Sequence, residues 1–96
     1  DLWERCAGQA NAMARELAGA VASVPGVRVT QEVRANAVFA LLPRAATTAL
    51  QERFPFYVWN ENTGEVRWMC SWDTTSQDVE AFAAALAEVM AAQPAA

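Results

Sequence analysis

Residues 64 to 75, Gly64-Glu65-Val66-Arg67-Trp68-Met69-Cys70-Ser71-Trp72-Asp73-Thr74-Thr75, read in order as a turn, a strand and the entry to a helix. On a strand successive side chains point to opposite faces. Val66, Trp68, Cys70 and Trp72 therefore share one face, which their apolar character assigns to a core, and Glu65, Arg67, Met69 and Ser71 share the other. Arg67 is then the one permanently charged group on the far face of a strand whose first face is buried. A guanidinium kept there calls for an anion.

Working outward, Phe56-Tyr57-Val58-Trp59 reads as a strand, and Asn60-Glu61-Asn62-Thr63-Gly64 supplies turn chemistry, so this strand and the Arg67 strand form a hairpin. On the far side, Thr75 with Asp78 three residues on is a capping pattern. Val79, Phe82, Leu86 and Val89 then line one face of a final helix.

At the other end Trp3, Cys6, Ala10, Met13, Leu17, Val21 and Val24 recur at steps of three and four, predicting an amphipathic helix over 2–23 that Pro25-Gly26 ends. No N-cap residue precedes it, which predicts a helix continuing upstream in a longer chain. Val27–Thr30 and Asn36–Leu42 read as two strands pairing antiparallel, with residues 32–35 as their connection. Pro43 suits a first helical turn, Ala45, Ala46, Ala49 and Leu50 carry a modest helix to about Arg53, and Phe54-Pro55 stops it. The tail from Gln93 to Ala96 is expected to fray.

The expected fold is α+β, in the order α-β-β-α-β-β-α, as a single small domain over 1–96. The Arg67 strand inserts between its neighbours after a right-handed crossover, giving a mostly antiparallel four-stranded sheet of order 1-2-4-3 with three helices on one face. The other face, which carries Arg67, has no helix left to cover it. It is expected to meet another domain or subunit.

Composition narrows the chemistry. With 96 residues there is material for one core only. The 54% apolar content is rich in alanine, and no run approaches the ~20 apolar residues that span a bilayer. No signal peptide opens the chain, so a soluble, cytoplasmic protein without membrane association is expected. Net charge is −4 and the seven basic residues are scattered arginines, a pattern that does not suit nucleic acid. Two cysteines on apolar faces behave as small hydrophobes, and a disulfide is not expected. The chain has neither histidine nor lysine, which removes the commonest general base and the one side chain that condenses with an aldehyde cofactor. No ligand spacing for a metal is present.

The run Val66 to Thr75, followed by Asp78-Val79-Glu80-Ala81-Phe82, resembles the C-terminal end of low-specificity L-threonine aldolases, of the β-eliminating lyase group of fold-type I pyridoxal-phosphate enzymes. Asn11 to Ala14 with Leu17, then Pro25-Gly26-Val27, then Ala35-Asn36 leading to Phe39, extends the resemblance over almost the whole chain. It implies the small domain that closes over pyridoxal 5'-phosphate held by a large domain of the same parent chain, in an enzyme that is a homo-oligomer. It further implies that Arg67 grips the α-carboxylate of an amino-acid substrate. The cofactor lysine, the phosphate-binding loop and the acid/base histidines belong to that large domain, so the chain alone is expected to be inactive.

Each sharp reading has an ordinary counterpart. Arg67 could be a surface arginine paired with Glu65. Asn36, at a strand start, could approach the site, but suits a turn or cap better. Trp3, Trp68 and Trp72 are expected in the core, whereas Trp59 could serve an interface. Asp73 and Thr75 are explained by capping. Beside the aldolase domain, the alternatives are a free-standing ferredoxin-like module that binds an amino acid or protein through its open face, and a structural dimerisation domain.

Overall fold

The computed structural model describes residues 2–93; the expected fraying of residues 94–96 lies outside them. Its elements run α1 (Leu2–Ala22), β1 (Arg28–Val29), β2 (Ala37–Leu41), α2 (Arg44–Gln51), β3 (Tyr57–Asn60), β4 (Glu65–Met69) and α3 (Ser76–Ala91). The sheet is antiparallel at every pairing, in the order β1-β2-β4-β3. Both the element order and the strand order match the α+β expectation. β1 and β2 are each one residue shorter at both ends than the alternation predicts, β3 is shifted by one residue to end at Asn60, and β4 stops at Met69, before the alternating pattern does.

β4 occupies one of the two inner positions, beside β2. Val66 pairs with Ala40 and Val58, and Trp68 pairs with Val38. These side chains form the sheet's contribution to one core, filled from the helices by Ala14, Leu17 and Val21 of α1, Ala46 and Leu50 of α2, and Ala85, Leu86 and Val89 of α3. Trp68 is its aromatic centre: Phe82 and Phe56 meet it edge-on at centroid distances of 5.0 and 6.1 Å, and Phe54 extends the row through Phe82 at 5.1 Å. Such pairs contribute ~0.5–1.5 kcal/mol each beyond the apolar area they bury.

Local chemistry sets the turns around this core. Thr75 accepts from the Asp78 backbone N–H while the Asp78 carboxylate accepts from that of Thr75, the reciprocal cap expected at the start of α3. In the β3–β4 turn Asn60 Oδ1 accepts from the N–H of Asn62 and Thr63, and Gly64 takes φ +80°, where a side chain would be strained. Gly26 has φ +86°, a conformation that favours glycine, and turns the chain from α1 toward β1.

Two tryptophans depart from the expected core. Trp72 is 66% exposed. β4 ends at Met69, and Ser71 then donates its N–H to Thr74 Oγ1 and its hydroxyl to Asp73, a turn that breaks the two-residue alternation and swings Trp72 outward. Trp3 is 81% exposed, because the first buried position of α1 is Ala10. At 21 residues α1 is ~32 Å long, and its first two turns overhang the sheet. Cys6, on the same overhang, is only half-buried.

The two neighbouring tryptophans give a direct check. Trp68→Ala should lower stability by ~3–5 kcal/mol and Trp72→Ala by ~0.5 kcal/mol or less, read from urea denaturation of the chain. Comparable losses at both positions would contradict this account of the strand end.

Candidate functional site

The face of the sheet opposite the helices is built by Arg28, Phe39, Leu41, Tyr57, Glu65, Arg67 and Met69, by strict alternation with the buried set. It carries exposed apolar area at Tyr57 (80%), Met69 (57%) and Trp59 (53%). Arg67 lies in its middle, paired across β4 with Phe39 on β2 and Tyr57 on β3. The register shifts between Val58 and Asn60, leaving Trp59 as the extra residue of a bulge.

The surroundings of Arg67 separate it from an ordinary surface arginine. Glu65, two residues along the same face, accepts instead from the Thr30 hydroxyl and, at 3.4 Å, from Gln31 Nε2. Among the described residues the Arg67 guanidinium makes neither an ion pair nor a hydrogen bond. What holds it is aromatic: its central carbon lies 4.5 Å from the Trp59 ring centroid, a cation–π contact of ~0.5–2 kcal/mol. Phe39 in turn meets Trp59 edge-on at 5.5 Å. Five N–H donors on a half-buried fork, braced by rings and committed to no acceptor, can bind a planar anion bidentately.

The other residues considered have structural work. Asn36 donates to the Cys70 carbonyl at 2.9 Å and accepts from the Cys70 N–H at 2.8 Å, tying off the end of β4. Asp73 and Thr75 are consumed by the turn and cap described above. Among the described residues no group of three or more His, Cys, Asp or Glu is arranged to hold a metal. The chain contains no lysine, so its side chains do not fit covalent attachment of an aldehyde cofactor.

A cleft of about 340 Å³ opens beside the end of β4, lined by Leu17, Phe54, Phe56, Trp68, Cys70 and Phe82 among others. Arg67 is not in its walls, and its lining is mostly core side chains that reach the surface. Burial pushes the Cys70 thiol above its ordinary value of 9.0. The thiol's effect on stability follows in sign. Above pH ~9 the unfolded chain loses this proton while the folded one keeps it, so the unfolded state binds fewer protons and stability falls as pH rises.

The structure places Arg67 on the open face that the alternation predicts, and nothing in the sequence pointed to Trp59 beneath its guanidinium. Alternation puts Tyr57 and Trp59 on one side of β3, yet which of them meets Arg67 depends on the bulge, and no turn or glycine signal marks it.

No family model matches the chain. It is 44% identical over 93 residues to low-specificity L-threonine aldolase of Pseudomonas aeruginosa, covering 96% of this chain and 27% of that protein. To the low-specificity L-threonine aldolase of another Pseudomonas strain it is 40% identical over 91 residues, 94% of this chain and 26% of that one. Among solved structures it superposes with a TM-score of 0.72 and 29% identity on a glycine decarboxylase (P-protein) of the glycine cleavage system, covering 88% of this chain and 21% of that one.

Thiol chemistry offers a check on this region. Cys6 should react with a disulfide reagent at pH 8 well before Cys70, and Cys70→Ala should flatten the loss of stability above pH ~9. Equal labelling rates would show that Cys70 is not buried as described. The chain spans about a quarter of the relatives it matches, and over nearly its whole length it is similar to that portion of the low-specificity L-threonine aldolases.

Proposed function

We propose that the chain is the carboxylate-gripping small domain of a pyridoxal-phosphate-dependent aldolase that cleaves L-threonine or a related β-hydroxy-α-amino acid to glycine and an aldehyde. The observation that carries this reading is the Arg67 guanidinium, centred on an open sheet face, braced by Trp59 and bound to no carboxylate of the described residues. Similarity to a quarter of two threonine aldolases supports it over a free-standing module.

In this reading Arg67 donates from its planar fork to the substrate α-carboxylate, with charged hydrogen bonds of ~1.5–3 kcal/mol each. Tyr57, Trp59 and Met69 pack under the large domain of the same parent chain when it covers the open face, excluding water from the ion pair and strengthening it. Pyridoxal 5'-phosphate is held by that large domain, because this chain offers it no lysine. The parent enzyme is a cytoplasmic homo-oligomer.

Two experiments test the reading. In the complete enzyme Arg67→Ala should lower kcat/KM for threonine by a factor on the order of 10² to 10⁴, corresponding to ~3–5 kcal/mol, since orientation of the scissile bond is lost with the grip. Arg67→Lys, which keeps the charge without the fork, should fall between. Near-normal efficiency in Arg67→Ala would return this residue to the surface arginines. Separately, the 96-residue chain incubated with pyridoxal phosphate and reduced with borohydride should show no stoichiometric adduct by intact mass beyond the N-terminal amine. An adduct elsewhere would contradict its predicted inactivity.

A further inference from the structure

Resting on the reading of Arg67 as the carboxylate grip, we infer that Trp59 is the positioning residue of that grip. Its ring holds the guanidinium in place before substrate arrives, so that the fork meets the carboxylate without first giving up its side-chain freedom.

Three observations carry this. The Arg67 central carbon lies over the Trp59 ring at 4.5 Å, while none of the guanidinium N–H groups is engaged among the described residues. A cation–π contact uses the π face of the ring and leaves hydrogen-bond donors available. Trp59 is itself fixed twice, by Phe39 edge-on at 5.5 Å and by the bulge between Val58 and Asn60 that brings an unpaired residue of β3 toward β4. Finally, the nearest competing carboxylate on the face is drawn off, since Glu65 is held by Thr30 and Gln31. An arginine on a strand would otherwise be free to fold onto its acidic neighbour, and substrate would have to displace that ion pair.

The contact is made before substrate binds and acts on ground state and transition state alike, so its loss should appear in KM rather than kcat. The test uses the full-length parent enzyme with L-threonine. Trp59→Leu removes the π face and keeps apolar bulk; KM should rise about threefold to tenfold with kcat within about twofold of wild type. Trp59→Phe, which retains a ring, should restore most of the KM. In an Arg67→Ala background Trp59→Leu should have no further effect on KM, a non-additivity that general loss of packing would not produce. Should Trp59→Leu fail to fold, Trp59→Met replaces it in the same comparison.

An unchanged KM in Trp59→Leu, an equal rise in Trp59→Phe, or additive losses in the double variant would each overturn the inference. Impaired Arg67 variants beside a normal Trp59→Leu enzyme overturn it alone. A normal Arg67→Ala enzyme overturns the carboxylate reading together with it.

Discussion

Everything in this small fold depends on the two-residue alternation of β4, an inner strand of the sheet. One face of the strand delivers Val66 and Trp68 to a core that both neighbouring strands and all three helices help to fill. The opposite face thereby has its geometry set by residues that never touch it. A one-residue slip would bury the Arg67 guanidinium at a cost of several kcal/mol and expose Trp68, so the register that stabilises the domain also aims the arginine. Burial on one side and charge on the other are consequences of a single pairing.

That coupling explains how much was legible in the residues. Alternation in Glu65–Met69, helical spacing in Leu17, Val21, Val79 and Leu86, and turn chemistry at Pro25-Gly26 and Asn60–Gly64 are local signals, and each led to the observed element. The strand order 1-2-4-3 follows from placing the Arg67 strand between its neighbours after the crossover, and the structure has it so. Trp72 was misassigned for the same reason that β4 was found: alternation was extended past the point where Ser71, Asp73 and Thr74 exchange hydrogen bonds and the strand is over. Trp3 failed differently. An apolar stripe says which side of a helix faces inward but not how far the surface beneath it extends.

The place of Arg67 on the open face was legible, and the side chains around it were not. Arg67 stands out by position alone. Its support comes from Trp59 through a bulge, and the withdrawal of Glu65 comes from Thr30 and Gln31, more than thirty residues distant in sequence. Non-local side-chain contacts of this kind leave no periodic trace.

A guanidinium on an inner strand has an advantage that a loop arginine lacks. The backbone of β4 is hydrogen-bonded on both sides, so Arg67 moves mainly through its side-chain torsions, and its guanidinium lies against the Trp59 ring. The same rigidity would transmit motion: if the domain pivots as one body against a larger partner, the fork moves with it and keeps its orientation to its own sheet. An anion held in the fork would favour whichever arrangement gives the fork more contacts, by the difference in those contacts and by no more than that difference.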